Sequence, residues 1–275
     1  MASIMTAVGE WEGQVGDVWA KEWQRTDRSF SELTVQLAQA IADIAPETGT
    51  AIDIGCGAAE TAIGLARANP AIKVTGTDLS SGLLDVARSR VEGLTNINFV
   101  LGDAVSEAAS HKPVDLYVSR HGVMFFDDPV AAFTSFRQAA SSEARIVFSC
   151  FRDWSLNAFA RDISELTGAA APTDAPGPFA FAPKDRVESI LAASGWRDVK
   201  ATHVDFDYIA GQGDDPVEDA ISFMRRIGPA ARAIRLANEE ERPVIIDGLR
   251  QICESRRQDK TVLFPAAAWI WTARA

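Results

Sequence analysis

The chain has 275 residues, 47% hydrophobic and 24% charged, with a formal net charge of −11. That much apolar material suits one large α/β domain with a sizeable core and some helical elaboration. The acidic balance repels phosphate backbones, and the densest basic pairs, Arg225–Arg226 and Arg256–Arg257, have acidic neighbours, so no nucleic-acid partner is expected.

Taken in chain order, residues 1–12 carry no basic segment followed by an apolar stretch, so no secretion signal is expected. Residues 8–45 read as helical, with Trp11, Val15, Trp19 and Trp23 on one broad face, and residues 1–48 are assigned to an N-terminal helical cap. From residue 50 to 151, apolar β-branched runs at 51–54, 73–77, 98–101, 114–119 and 145–151 alternate with helical patterns at 60–69, 80–93 and 129–140. Ser80 is placed as an N-cap ahead of Leu83, Leu84, Val86 and Ala87. This alternation predicts βαβ units and a parallel sheet covered on both faces. A helix around 154–167, a loop rich in Pro, Gly and Ala at 168–183, and a helix at 184–194 follow. Strand-like segments at 196–209 and 261–272 are separated by some fifty residues that read as helical, including 217–227 and 239–257. The predicted organisation is a core at 49–210, a helical insertion acting as a lid at 211–260, and a last core strand at 261–275. The longest apolar run, 264–273, is too short to span a bilayer, so no membrane span and a cytoplasmic location are expected. Cys56, Cys150 and Cys253 lie far apart without CxxC or Cys/His spacing, which argues against a disulfide framework and against a structural zinc site, and no carboxylate/His cluster has magnesium-site spacing, so no metal is expected.

The chemistry concentrates where strands end. Residues 53–61, Asp-Ile-Gly-Cys-Gly-Ala-Ala-Glu-Thr, close the first strand and open a helix. Gly55 and Gly57 permit a tight turn and close approach of a ligand to the backbone around Cys56. The helix start beyond offers free N–H groups to a carboxylate, and Asp53 is placed to hold an ammonium group. Together they fit an amino-acid moiety. Asp78 ends the second strand, 25 residues after Asp53, placed to accept both hydroxyls of a ribose. Gly102-Asp103-Ala104 follows the third strand; Asp103 and the Ala104 N–H suit an adenine edge, and Leu79 one of its faces. Each of these also has a plain structural reading, as turn glycine or helix-capping acid.

These motifs, with Thr-Asp-Leu-Ser-Ser-Gly-Leu-Leu-Asp-Val-Ala-Arg at 77–88, resemble the class I S-adenosylmethionine-dependent methyltransferase family. Residues 114–126, Val-Asp-Leu-Tyr-Val-Ser-Arg-His-Gly-Val-Met-Phe-Phe, are similar to its ubiquinone/menaquinone-type C-methyltransferase branch. The resemblance implies a Rossmann-like, doubly wound, seven-stranded, mostly parallel sheet with an antiparallel edge hairpin. It also implies S-adenosylmethionine held by Asp53, Gly55, Gly57, Asp78, Leu79, Asp103, Ala104 and the Ser119–Arg120 backbone, and methyl transfer to a small-molecule acceptor. Ala59 stands where the family usually has a third glycine, and residues 140–145 replace its usual Pro-Gly-Gly turn.

A sulfonium methyl is already a strong electrophile, so the protein's work is to aim a nucleophile in line with the C–S bond, about 3 Å away, and to exclude water. A base is needed only for a hydroxyl or protonated amine. His121, directly after the fourth strand, is the candidate base or orienting group, against a packing role. His203 and Tyr208 are read as surface residues, or Tyr208 as a substrate wall, and Arg120 as an anion site or a backbone contact only. Trp11, Trp19, Trp23, Phe125 and Phe126 are either acceptor-pocket walls or core. Two other functions share part of this logic: an S-adenosylmethionine-binding module without turnover, and an NAD-dependent dehydrogenase. Asp53 directly before the glycine turn and Gly102-Asp103 after the third strand disfavour the dehydrogenase.

Overall fold

The computed structural model describes residues 13–169 and 176–275. Three helices come first: α1 (Gln14–Lys21), α2 (Trp23–Ser29) and α3 (Ser31–Ala42). Glu22 and Phe30 leave helical geometry between them, so the expected continuous stripe is broken, with Trp19 on α1 and Trp23 opening α2. Trp11 lies outside the described residues.

Five parallel strands form the body of the sheet: β1 (Gly49–Ile54), β2 (Ile72–Asp78), β3 (Ile97–Leu101), β4 (Val114–Arg120) and β5 (Ala140–Phe151). Their crossovers are α4 (Glu60–Ala68), α5 (Ser81–Ser89), α6 (Ala104–Ser110) and α7 (Pro129–Ala139). The N-caps Ser80, Asp103 and Asp128 each accept a backbone N–H from the first turn that follows. The short α6 lies in a stretch left without an element in the sequence reading. After β5 come α8 (Ala158–Thr167), α9 (Lys184–Ala193) and the edge strand β6 (Arg197–Gln212). The insertion supplies α10 (Pro216–Met224), α11 (Gly228–Leu236) and α12 (Glu241–Ser255), and the chain returns through β7 (Arg257–Gln258) and β8 (Thr261–Arg274).

The strand order is β3-β2-β1-β4-β5-β8-β6, with the two-residue β7 paired to β8. β8 runs antiparallel to both β5 and β6, which makes the expected antiparallel edge and adds β7 to the seven expected strands. Because β8 lies between two strands, its apolar run is buried, with Trp271 fully enclosed. The turn expected before β5 is absent: α7 runs directly into the strand at Ala140, which pairs with Val114. The sheet interior is apolar on β4, where Leu116, Tyr117 and Val118 are inaccessible, and the Tyr117 hydroxyl donates to Phe136 O at 3.0 Å.

β1 pairs with β2 on one side and β4 on the other, so the winding reverses between β1 and β4. The carboxyl ends of these strands flank the crevice where open α/β sheets bind ligands. Among the described residues no helix is long and apolar enough to cross a membrane, and no His, Cys, Asp and Glu cluster has the arrangement to hold a metal ion.

Candidate functional site

The turn after β1 is held by its own backbone. Gly55 and Gly57 have φ of +63° and +55°, and the Cys56 N–H donates to Thr77 O at 2.8 Å. A side chain at Gly55 would press on Gly122 Cα at 3.1 Å, whereas one at Gly57 would meet nothing within 4 Å among the described residues. Gly55 therefore serves close packing, and Gly57 faces open space that a ligand can enter. The Cys56 sulfur lies over Gly76 and is engaged in packing, leaving its backbone to the turn. Ala59 has φ +68° and caps α4 in the left-handed conformation normally left to glycine.

Asp78 ties two turns together. Its Oδ2 accepts the Gly57 N–H at 2.8 Å and its Oδ1 the Ser80 N–H at 2.9 Å, while its carbonyl accepts the Gly102 N–H. Burial raises its pKa, and the Ser80 and Gly57 amides work against that rise. Each oxygen keeps a second lone pair, enough for two further donors. Leu79 beside it is half-buried. Asp103 is exposed, and its Oδ2 caps α6 through Ser106.

Asp53 is only 1% exposed, and neither carboxylate oxygen has a hydrogen-bond partner among the described residues. Burial pushes its pKa up to about 8; the Arg120 charge and the Ala62 amide oppose this without closing a hydrogen bond. A buried carboxyl group without a donor is unusual enough to call for one.

The end of β4 is knotted to β1. Ser119 Oγ donates to Ile54 O at 2.7 Å and accepts the Gly122 N–H, so its side chain is structural. Arg120 bonds Asp27 at 2.7 Å and Thr34 at 2.9 Å, which gives its guanidinium to the N-terminal helices and not to an anion site. His121 stands at φ +64° with Nδ1 2.8 Å from Ser149 Oγ and its ring 4.2 Å from that of Phe151. Its Nε2 is buried without a partner among the described residues. Burial, aided by the Arg120 charge, lowers its pKa to about 3, so the ring is neutral near pH 7 and a weak base.

Asp27 on α2 bridges Arg120 and Arg90, and Arg90 in turn donates to Ala58 O of the glycine turn, pairs with Glu60 and lies 4.1 Å over the Trp23 ring. On its other side α2 is tied to α10 and β6: Arg25 and Arg28 pair with Asp219 at 2.8 and 2.7 Å, and Ser29 donates to Ile209 O. The first helices thus link the glycine turn to the insertion. Trp23 belongs to this clamp, and Phe126 packs on Phe133 and Phe136 in the core, so neither lines a pocket beside His121. Of the rings that do surround His121, Tyr208 is the one the sequence offers as a substrate wall, whereas Phe30 and Phe151 join it only in three dimensions. Tyr208 is buried, not a surface residue, whereas His203 is exposed.

Residues 51–142 match the family described as "Methyltransferase domain". A malonyl-[acyl-carrier protein] O-methyltransferase of Halalkalibacterium halodurans is 28% identical over 112 residues, 40% of this chain and 41% of that protein. A demethylmenaquinone methyltransferase of Staphylococcus aureus is 31% identical over 90 residues, 31% of this chain and 37% of that protein. The chain thus spans about two fifths of the length of these curated relatives. Phosphoethanolamine N-methyltransferase 2 of Haemonchus contortus, solved with S-adenosyl-L-methionine, shares the fold with a TM-score of 0.54 at 13% identity, covering 99% of this chain and 60% of that one. The family match thus covers about a third of the chain, residues 51–142, and over nearly its whole length the chain shares the Rossmann-like fold of that solved N-methyltransferase.

Proposed function

We propose that the protein binds S-adenosylmethionine at the three turns and transfers its methyl group to a small-molecule acceptor. The observation that carries this reading is the Asp53 carboxyl group, which among the described residues is buried without a hydrogen-bond donor at the end of β1, two residues before a turn with open space at Gly57. An ammonium group there supplies the missing donor. The Gly55–Gly57 backbone and the start of α4 receive the carboxylate of the same amino-acid moiety. Asp78 accepts the ribose hydroxyls, Leu79 covers the base, and Asp103, Ala104 and the Ser119–Arg120 backbone complete the site. When bound, the cofactor supplies an electrophilic methyl group. The chain's own residues orient the acceptor and keep water out. His121 acts as an orienting hydrogen-bond group, since a ring neutral down to about pH 3 is poorly matched to a base role near pH 7.

The N-terminal helices and the 211–260 insertion form a lid; their ion pairs through Asp27 and Asp219 support this. The acceptors named for the relatives differ in chemistry and none is carried over here. Free Cys56, Cys150 and Cys253 support a reducing, cytoplasmic setting, and the charge of −11 supports an acceptor other than nucleic acid. Thermal-shift titration tests the reading: S-adenosylmethionine should raise the midpoint and NAD should not. A shift with NAD alone would reinstate the dehydrogenase, and a shift without turnover of any acceptor would favour a binding module.

A further inference from the structure

The aromatic residues form two groups of different character. One, including Phe133, Phe136, Phe148 and Tyr117, is inaccessible to solvent and places its hydroxyl on a carbonyl, as an ordinary core does. The other gathers beyond the carboxyl ends of β4 and β5: Phe30, His121, Phe151, Phe159, Phe206 and Tyr208, whose five phenyl and phenol rings remain 6–8% exposed. Three features set it apart from packing alone. Its histidine has an Nε2 that is buried and unpartnered among the described residues, and a positive φ, a conformation that costs energy for a ring-bearing residue and concentrates at functional positions. Its Phe30 belongs to the N-terminal lid, while the other rings stand on β5, β6, α8 and the end of β4. The Phe30 ring is caged by His121 at 5.2 Å, Tyr208 at 5.5 Å, Phe151 at 5.9 Å and Phe206 at 6.3 Å, all within aromatic pairing range.

The space enclosed by the cage is that of one uncharged six-membered aromatic ring, filled here by Phe30. Arg120 reaches over that ring at 5.6 Å but is already neutralised by Asp27, so a charged guest would be desolvated without a new partner. We infer that the methyl acceptor is an uncharged aromatic compound whose ring takes the place that Phe30 fills when the lid moves, and whose polar substituent hydrogen-bonds to His121 Nε2. An aliphatic alcohol satisfies the nitrogen but not the rings, and an aromatic carboxylate satisfies the rings but brings an unpaired charge. This inference rests on the methyltransferase reading for the word acceptor, not for the cage itself.

The chain has three histidines, His111, His121 and His203, so nitrogen-15 NMR of the imidazoles resolves the site directly, with assignment from His121→Gln. The wild-type protein, with and without S-adenosylhomocysteine, is titrated with 1-naphthol, cyclohexanol and benzoate. The expected result is saturable movement of the His121 Nε2 resonance by 1-naphthol, with at least tenfold weaker binding of the other two and no response at His203. Equal binding of cyclohexanol or benzoate, or an unmoved His121 signal under 1-naphthol, overturns the inference. Failure of S-adenosylhomocysteine to bind counts against the proposed function alone, since the titration without it still judges the cage.

Discussion

Replacing Asp53 by asparagine isolates one buried proton. The carboxyl group titrates near 8 in the folded protein against an ordinary 3.8, because burial disfavours its charge more than Arg120 favours it. Between those values the folded state keeps a proton that the unfolded state has released, so folding stability falls as pH rises. The cost is absent below 3.8, grows by up to about 1.4 kcal/mol per pH unit, and levels off above 8. Between pH 5 and 8 the group therefore removes on the order of 4 kcal/mol, a large share of a typical domain's stability. Asp53→Asn is nearly isosteric and carries no such proton. Urea denaturation of both proteins at several pH values should show the variant gaining on the wild type from pH 5 to 8. A constant difference would refute the reasoning: the carboxylate would then be ionised throughout, compensated by Arg120. The same proton must leave when an ammonium group binds, so calorimetry at pH 6.5 in buffers of different ionisation heat should count about one proton released per S-adenosylmethionine.

His121, with its pKa lowered to about 3, destabilises the fold as pH drops below its unfolded value near 6.5. Once an acceptor is known, the kcat profile should accordingly lack an ionisation near 6.5, and one that disappears in His121→Gln would restore the base role. Asp27→Ala leaves Arg90 and Arg120 facing each other across a half-buried gap, which should cost about 2 kcal/mol and speed hydrogen exchange in residues 14–30. Unchanged exchange would make those helices plain scaffold. Ala59→Val puts a branched side chain at a buried, left-handed position and should cost about 3 kcal/mol or more in chemical denaturation, whereas Ala59→Gly, trading strain for a lost methyl contact, should stay within about 1 kcal/mol of wild type.

What could be read from the sequence was local. Each turn of the candidate site pairs a strand end with its own glycine or aspartate within a few residues, so the strand-end placement of Asp53, Gly57, Asp78 and Asp103 is legible from local sequence alone. The insertion and the final strand showed as breaks in the βαβ rhythm. Helix α6 does not show in the sequence because seven residues carry too little periodicity to register, and its cap, Asp103, reads there as turn chemistry or an adenine partner. The direct passage from α7 into β5 replaces a turn for which a loop was expected, because Ala140 pairs at once with Val114. The Trp19–Trp23 stripe assumed an unbroken helix, and Glu22 breaks it, buried by pairing with Arg25 and Arg226. Of the cage around Phe30 only His121 and Tyr208 stand out in the sequence; Phe30, Phe151, Phe159 and Phe206 are scattered along the chain and each alone is indistinguishable from a core aromatic.

The central claim, that the three turns form one S-adenosylmethionine site, is tested most directly by calorimetric titration of S-adenosylhomocysteine into the wild type and Asp78→Ala. Losing a charged acceptor of two hydroxyls costs about 1.5–3 kcal/mol, so a single site should weaken roughly ten- to a hundredfold. The variant must stay folded for this comparison, which circular dichroism checks, because Asp78 also secures Gly57 and Ser80. Wild-type binding with unchanged affinity in the folded variant, or no binding by the wild type at all, would contradict the account.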